Sequence, residues 1–408
     1  MPRFERKQNI FANKDALGES YRPDRIEERD EEIAEYEAAL QPVIDGWEPN
    51  NVFLYGNTGV GKTAVTSYLL SELQTDIEQY DDVDLTVVHL NCKPLSSSYQ
   101  VAVGLVNELR PHGGEISTTG YPQQAVFEKL FQELDKIGGT VLIVLDEIDA
   151  IGDKDDILYE LPRARANDKL TDTKVGVIGI SNDFKFRDRL DPRVQDTLCE
   201  REIQFPPYDA VELESILRSR ADVAIVDEKI EQGVLTLCAA LAARDTGSAR
   251  QALDLLQLAG EVAENTDADE IAVQHVEDAR EKLEQERVEE GMRDLTHHGE
   301  IALLAVLSKT AKGETPCRTK VVYQEYVTLC ESANIDSLSQ RSVHNHLSDL
   351  RMLGILSSNE NRSGSPGNYY SYELDVPFSS AVDAMSDVST LDSEIESIRE
   401  IASMNNVI

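Results

Sequence analysis

One stretch of the sequence decides the fold: Gly56-Asn57-Thr58-Gly59-Val60-Gly61-Lys62-Thr63. Its glycines let backbone N–H groups close around phosphate oxygens, its lysine can reach the outer phosphates, and its final hydroxyl can ligate magnesium. The apolar run 51–55 predicts a buried strand before the loop, and residues 62–73 predict a helix after it. Such a motif alone can arise by chance, but flanked by a strand and a helix N-terminus it indicates a site for a nucleoside triphosphate.

Two polar segments downstream complete the expected site. The apolar run 140–145 ends in Asp146 and Glu147, and the buried strand predicted at 174–180 is soon followed by Asn182. Acids at the carboxyl end of a strand, downstream of a phosphate loop, are typical of the second half of an ATP site. We expect Asp146 to hold Mg²⁺ through water and Glu147 to orient the attacking water. Asn182 could reach the γ-phosphate or that water, although each segment is also an ordinary polar strand end.

The spacing of the remaining segments predicts the fold class. Strands alternate with helices up to about residue 205, which indicates a parallel sheet with helices on both faces. Beyond that point the strands stop, and four helical patterns predict an all-α second domain at 211–223, 229–244, 249–263 and 271–289. Arg250 begins one of these helices, where it could swing onto the phosphates across a cleft. An arginine at a helix start is more often a solvated surface residue.

Residues 296–378 have the pattern of a third unit. Three helical segments precede two strand-like runs separated by a polar, glycine-containing stretch, and this order predicts a winged helix-turn-helix. The third helix would lie in a DNA major groove, with a side chain at the wing tip entering a minor groove. The candidate DNA contacts are Arg341, His344, Asn345 and Arg351 on the helix and Arg362 at the wing tip. Winged helices also serve as protein-binding modules.

The charge of the chain is strongly acidic and unevenly spread. There are 76 acidic and 39 basic residues, a net charge of −37, and 15 of the basic residues are lysines. This composition resembles that of salt-accumulating halophiles, the alternative being simply an acidic protein. Residues 1–295 carry 31 basic and 61 acidic side chains, whereas residues 296–378 carry 7 and 9. A near-neutral block in an acidic chain is expected where a surface must approach DNA phosphates.

Other classes of protein find no support in the sequence. Its longest apolar runs are far shorter than the roughly 20 residues that span a bilayer, and residues 1–5 do not begin a signal peptide. The five cysteines form no C-x-x-C pair, and His297 and His298 are adjacent, so that their side chains diverge on a helix. We therefore expect a cytoplasmic, nucleoid-associated protein with no membrane partner.

These patterns divide the chain into five segments. We predict a flexible arm at 1–20, a nucleotide-binding core at 21–207, a helical lid at 208–292, a winged helix at 293–378 and an acidic tail at 379–408. A weak helical pattern in the tail predicts either a docked or a frayed helix.

Several of these motifs together resemble one known family. The segments are the phosphate loop, Leu145-Asp146-Glu147-Ile148-Asp149, Ile180-Ser181-Asn182-Asp183, Phe205-Pro206-Pro207-Tyr208 and Gly247-Ser248-Ala249-Arg250-Gln251-Ala252-Leu253-Asp254. The chain resembles the archaeal origin-recognition initiators over roughly residues 10–375. These are AAA+ ATPases related to the eukaryotic origin-recognition and Cdc-type loading proteins. The resemblance implies an α/β P-loop AAA+ core with a parallel sheet, an all-α lid and a C-terminal winged helix-turn-helix.

The resemblance also implies cofactors, partners and roles. ATP or ADP with Mg²⁺ would be the cofactors, double-stranded origin DNA and an MCM-type replicative helicase the partners, and self-association on DNA is a further option. The residues that would contact the nucleotide are Gly59, Val60, Gly61, Lys62, Thr63, Ala64, Tyr208 and Arg220. Asn182 resembles the first sensor and Arg250 the second. The segment 93–119 resembles an initiator-specific helix that touches DNA, which makes Lys93 a candidate contact.

One departure from the family pattern concerns hydrolysis. Related proteins that act in trans often carry a Ser-Arg pair after the Arg-Val of the sensor region, whereas this chain reads Arg193-Val194-Gln195-Asp196. This departure argues against an arginine finger, for which Arg193 and Arg201 are the candidates. We expect slow hydrolysis and a switch-like ATPase. Two alternatives remain open: a signalling or transcription-regulating ATPase whose winged helix binds protein, and a clamp-loader-type subunit.

Overall fold

The computed structural model describes residues 10–151, 156–293, 295–361, 369–388 and 391–405. The chain forms two compact units, Met1–Val276 and Glu277–Ile408. No helix in these described ranges is long and apolar enough to cross a membrane.

A five-stranded parallel sheet forms the centre of the first unit. Its strands are β1 (Val52–Gly56), β2 (Leu85–Asn91), β3 (Gly139–Asp146), β4 (Thr173–Ser181) and β5 (Arg201–Phe205). They lie in the order β2-β3-β4-β1-β5, and every neighbouring pair is parallel. Because β1 lies between β4 and β5, the phosphate loop leaves the sheet beside the end of β4. This order places the carboxyl ends of β1, β3 and β4 at one edge.

Seven α-helices belong to the described part of this core, one before the first strand and six between the strands. They are α1 (Asp30–Ile44), α2 (Lys62–Ile77), α3 (Ser98–Leu109), α4 (Gln123–Ile137), α5 (Asp156–Glu160), α6 (Phe186–Arg189) and α7 (Pro192–Leu198). Both α3 and α4 pack against the sheet through buried apolar faces. The predicted alternation of strands and helices is confirmed. Strand β5 escaped prediction because polar residues alternate with its two buried ones.

The lid belongs to the first unit over most of its length. Its helices are α8 (Ala210–Ala224), α9 (Val234–Asp245), α10 (Ala249–Asn265) and α11 (Val273–Arg293). Asp209 and Glu212 form a capping box at the start of α8. Helix α9 begins five residues later than predicted, after Gly233, whose φ of 101° is left-handed and therefore suits glycine.

The predicted flexible arm is corrected over its second half. Ile10 is buried, Phe11 forms a β-bridge with Ile225, and the amides of residues 12 and 13 donate to the Ala224 carbonyl at 2.9 and 3.0 Å. The Phe11 ring lies so close to Gly260 that a Cβ there would approach it to 2.3 Å. Residues 10–18 therefore pack on the lid. Their apolar run is too short for periodicity to reveal.

The second unit is a winged helix extended by two further helices. Its elements are α12 (His297–Ala311), β6 (Cys317–Arg318), α13 (Thr319–Ser332), α14 (Gln340–Met352), β7 (Leu356–Asn361), β8 (Tyr369–Leu374), α15 (Phe378–Val388) and α16 (Asp392–Met404). The antiparallel sheet has the order β6-β8-β7, and α12 is buried over most of its length. The predicted three helices and hairpin are confirmed. Helices α15 and α16 contribute Met385 and Ile398 to the core, so the tail helix docks.

Candidate functional site

A cleft of about 540 Å³ opens at the carboxyl edge of the parallel sheet. It is bounded by the phosphate loop, by the ends of β2, β3 and β4, by helices α8 and α10, and by residues 17–27. The predicted site residues that line it are Gly59, Gly61, Lys62, Thr63, Ala64, Asp146, Glu147, Asn182, Tyr208, Arg220 and Arg250. Val60, also predicted, is fully buried within the first unit. The fold thus brings together residues spread over almost 200 positions of sequence.

Glycines give the phosphate loop its shape. Gly59 and Gly61 have left-handed φ values of 79° and 96°, which other residues rarely adopt. A Cβ on Gly59 would lie 2.0 Å from the Ser248 hydroxyl oxygen, so the lid approaches the loop at a point where only glycine fits. The Ala249 amide donates to the Gly59 carbonyl at 3.0 Å. The loop and the start of α10 are therefore in direct contact.

Lys62 lies almost wholly inside the loop, with 4% of its surface exposed. Its Nζ donates to the carbonyls of Gly56 at 2.8 Å and Asn57 at 2.7 Å. Burial lowers the pKa of Lys62 to about 8, against the opposing effect of Asp146. These bonds hold the ammonium group in the centre of the loop, where it can also meet the phosphates of a nucleotide.

Thr63 and Asp146 form a pair of oxygen ligands suited to Mg²⁺. The Thr63 hydroxyl donates to Asp146 Oδ2 at 2.8 Å. Magnesium prefers oxygen ligands and is usually held by one or two carboxylates together with substrate phosphates. These two oxygen donors fit a magnesium ion. Lys62 immediately precedes Thr63 in the sequence.

Glu147 has a strained backbone and a half-buried carboxylate. Its φ of 55° is left-handed, and its amide donates to Asp146 Oδ1 at 2.9 Å. Asn182 Nδ2 donates to Glu147 Oε1 at 3.4 Å, whereas the buried Oε2 has no hydrogen-bond partner among the described residues. A non-glycine residue in this conformation is typical of functional sites, and the free oxygen could accept a hydrogen bond from water.

Asp149 supports Asn182, a role that the sequence did not suggest. Its Oδ1 accepts hydrogen bonds from the Ser181 hydroxyl at 2.9 Å and from the Asn182 amide at 3.0 Å. These bonds fix the end of β4 relative to the turn after β3. A clue is available in the sequence, since Asp149 lies two residues after Glu147, but only the sheet order shows its partner.

Tyr208 and Arg220 bring the lid to the cleft. The Tyr208 amide donates to the Gly247 carbonyl at 2.9 Å, and its hydroxyl would lie 2.9 Å from a Cβ on Gly61. Arg220 stacks over the Tyr21 ring at 4.6 Å, and its buried Nη1 has no partner among the described residues. Burial lowers the pKa of Arg220. An unpaired buried guanidinium nitrogen at the cleft provides a donor for a bound molecule.

Arg250 lies at the cleft but is paired with an acid that the sequence did not single out. Its Nε is 2.7 Å from Glu19 Oε1, and both side chains are about half exposed. Glu19, in the segment before α1, thus holds the Arg250 side chain. The preceding residue, Ala249, makes the backbone contact with Gly59.

The predicted DNA contacts are divided between several places. Arg341 and Asn345 are exposed and, four residues apart, share one face of α14. His344 is half-buried instead, and its Nδ1 forms a hydrogen bond with the Tyr372 hydroxyl at 3.0 Å. Arg351 is exposed and donates to the Ser358 hydroxyl on β7 at 3.4 Å. Arg362 lies outside the described residues.

Lys93, a predicted DNA contact, lies in the first unit. It lines the nucleotide cleft just after the end of β2. Helix α3, predicted to touch DNA, buries Val101, Leu105 and Val106 in the core of the first unit. Its packing against β2 and α4 leaves that apolar face unavailable to DNA.

Comparisons with known proteins agree with this architecture. Family models match an AAA domain at residues 48–190, a Cdc6 AAA+ ATPase-type lid domain at 214–281 and a CDC6 C terminal winged helix domain at 290–384. ORC1-type DNA replication protein 15 of Haloarcula marismortui is 74% identical over 407 residues and covers 100% of both chains. The chain belongs to the ORC1-type DNA replication proteins. The predicted family and its three-part AAA+ architecture are confirmed.

Other ORC1-type relatives extend this agreement. ORC1-type DNA replication protein 10 of Halobacterium salinarum is 72% identical, covering 100% of this chain and 99% of the relative. The structure of the Aeropyrum pernix ORC1 protein in complex with DNA superposes with a TM-score of 0.80 at 34% identity, covering 93% of this chain and 98% of that one. The acidic composition of this ORC1-type protein is consistent with the haloarchaeal sources of these relatives.

Proposed function

We propose that this DNA replication initiator binds double-stranded origin DNA under the control of ATP and ADP and helps to load an MCM-type replicative helicase. One observation carries the proposal: the lid touches the phosphate loop directly, through the bond from the Ala249 amide to the Gly59 carbonyl. A nucleotide between loop and lid would have different contacts as ATP and as ADP. A ligand that distinguishes two lid positions shifts their populations.

The residues of the cleft divide the chemistry between them. The loop from Gly59 to Ala64 binds phosphates, and Lys62 supplies positive charge. Thr63 and Asp146 would hold Mg²⁺, which when bound would neutralise charge on the phosphates. Glu147 orients the attacking water through its free oxygen, and Asn182 holds the other oxygen of that carboxylate. Three lid residues contact the nucleotide: Tyr208, Arg220 and Arg250.

Hydrolysis in this proposal is slow. Arg193 and Arg201 are exposed and neither lines the cleft, so neither is placed to neutralise charge within the chain. An arginine in that role accelerates phosphoryl transfer by a factor of about 10³–10⁵. The protein therefore holds its nucleotide for long periods, as a switch in a cytoplasmic, nucleoid-associated complex that can self-associate on DNA.

The winged helix supplies DNA recognition. Arg341 and Asn345 are exposed side chains of the types that read guanine and adenine edges in a major groove. His344 supports the helix against the hairpin, while Arg351 and Arg362 contact the DNA backbone or minor groove. The relative from Aeropyrum pernix, described in complex with DNA, supports this use of the fold.

Selection of DNA sequences at high salt tests the proposal. A random duplex library is incubated with the full chain and ATP in about 2 M KCl, where the Debye length is only about 2–3 Å and non-specific phosphate attraction is weak. We expect an enriched sequence, and its loss in the double variant Arg341→Ala/Asn345→Ala. If no sequence is enriched by the native chain, the origin-binding function is wrong and the winged helix serves protein partners.

A further inference from the structure

Arg29 is a buried arginine that the sequence did not single out. It immediately precedes α1, and only 2% of its surface is exposed. Its Nε and Nη2 donate to the Val60 carbonyl at 3.2 and 3.1 Å, and Nη2 also donates to the Pro206 carbonyl at 2.7 Å. Nη1 pairs with Glu32 at 3.2 Å. One side chain is thus bonded to the phosphate loop and to the connection between β5 and the lid.

The same guanidinium stacks on a lid residue. Its central carbon lies 3.5 Å from the centroid of the Tyr208 ring. Tyr208 in turn places its hydroxyl over Gly61, at the distance where a Cβ on that glycine would clash. Arg29 and Tyr208 therefore both contact the phosphate loop, Arg29 at the Val60 carbonyl and Tyr208 beside Gly61.

We propose that Arg29 is a positioning residue that couples the phosphate loop to the lid. Val60 lies inside the loop, so phosphates that order the loop also fix the direction of its carbonyl. Arg29 is bonded to the Pro206 carbonyl and stacked on the Tyr208 ring, so a change in the direction of the Val60 carbonyl would move both groups. Helix α8 begins two residues after Tyr208. The planar fork of arginine can bond two carbonyls and stack on a ring at once, which lysine cannot do.

This inference rests on the proposed nucleotide switch and adds the side chain that operates it. A residue that only stabilised the fold would lower the melting temperature by the same amount with and without nucleotide. A coupling residue changes how far a nucleotide protects the lid. The two roles therefore differ in one measurable quantity, the nucleotide dependence of lid protection.

Amide hydrogen exchange on the full chain measures that protection. Two backbone bonds report on the lid: the Tyr208 amide to Gly247 and the Ala249 amide to Gly59. In the native chain we expect a non-hydrolysable ATP analogue to slow exchange in peptides covering these amides by about 5- to 150-fold relative to ADP, the usual range of coupling between sites. In Arg29→Lys we expect the slowing to fall below about twofold, while the ATP analogue still binds.

Arg218→Lys is the matched control, since Arg218 is an exposed arginine of α8 that pairs with Glu214 of the same helix at 2.8 Å. It should retain the full nucleotide-dependent slowing. Arg29→Lys is preferred to Arg29→Ala, because alanine would leave two carbonyls and Glu32 without their partner and could prevent folding. Tyr208→Leu is a second variant that removes the stacked ring and keeps the bonds of Arg29. It should also reduce the slowing.

The outcomes separate the inference from the function beneath it. If Arg29→Lys and Tyr208→Leu both show native slowing, the coupling role of Arg29 is overturned. Loss of ATP binding in Arg29→Lys, with the fold intact, would also overturn it, since Arg29 would then act on the loop alone. If the native chain binds both nucleotides but these amides exchange equally fast with the ATP analogue and with ADP, the proposed switch itself fails.

Discussion

The nucleotide cleft and the exposed face of α14 present their polar groups in opposite ways. Lys62 is buried and held by two loop carbonyls, and Glu147 is held by Asn182. Arg341 and Asn345, in contrast, extend from one helix into solvent. Buried, preorganised groups are little affected by salt, whereas exposed charges separated by more than about 3 Å are screened at 1 M. The difference predicts that nucleotide binding tolerates molar salt and that DNA binding there depends on base contacts.

The distribution of charge sharpens this comparison. Residues 1–295 carry 31 basic and 61 acidic side chains, and residues 296–378 carry 7 and 9. A strongly acidic surface repels DNA at low salt, and the near-neutral winged helix avoids that repulsion. Nucleotide binding in the cleft does not depend on the net charge of the chain, because individual cations lie around the phosphate loop.

The largest expected effect is at the cleft. Lys62→Ala removes the ammonium group at the centre of the loop, and we expect nucleotide affinity to fall by at least about 100-fold, as for the loss of a buried charged hydrogen-bonding group. Isothermal titration calorimetry with ATP in about 2 M KCl measures this. The control is Lys136→Ala, an exposed lysine paired with Glu133 at 2.8 Å. Native affinity in Lys62→Ala would contradict the site assignment.

Glu147→Gln separates binding from hydrolysis within the same cleft. We expect ATP hydrolysis to fall by about 10²–10⁴-fold, because the amide cannot act as a base toward the attacking water. ATP affinity should stay within about threefold of native, since the binding groups are untouched. Release of inorganic phosphate is the measurement. A variant that hydrolyses at the native rate would assign the water to another residue.

A smaller effect is expected on the winged helix. Arg341→Ala should weaken binding to the selected duplex by about 1–3 kcal/mol and relax the preference at one base position. Fluorescence anisotropy against matched and single-mismatch duplexes measures both quantities. Arg399→Ala is the control, because this arginine of α16 pairs with Asp383 at 2.6 Å. A uniform loss on all sequences would show a phosphate contact instead.

The smallest effect concerns the stability of the winged helix. Burial acts to raise the pKa of Glu325, but hydrogen bonds from Lys312, Ser308 and Lys309 lower it from 4.5 to about 2. A lowered carboxyl pKa adds stability above pH about 4.5, and this stability is lost as the pH falls toward about 2. Glu325→Gln should cost about 1 kcal/mol at pH 7 and less at pH 3, after allowance for partial exposure.

Urea unfolding at the two pH values measures the difference between this variant and the native chain. Glu331→Gln, at an exposed position of the same helix, is the control. A cost for Glu325→Gln that is equal at pH 7 and pH 3 would assign the effect to packing and not to charge.

Local patterns in the sequence predicted much of this molecule. The phosphate loop and the acids at the carboxyl end of β3 follow from motifs within a few residues. Strand β5 could not be predicted because only two of its five residues are buried.

The supporting residues of the site were beyond such prediction. Arg29 bonds to Val60, 31 residues away, and to Pro206, 177 residues away, and Asp149 meets Asn182 only because β3 and β4 are neighbours. Short motifs identify the groups proposed to touch the nucleotide, whereas the groups that position them depend on long-range packing.

The most direct test of the account compares DNA affinity in the two nucleotide states. The full chain is saturated with a non-hydrolysable ATP analogue or with ADP in about 2 M KCl, and its affinity for the selected duplex is measured. We predict affinities that differ by about 5- to 150-fold, and no nucleotide effect in Lys62→Ala. Equal affinities in both saturated states of the native chain would contradict the claim that the nucleotide cleft controls DNA binding.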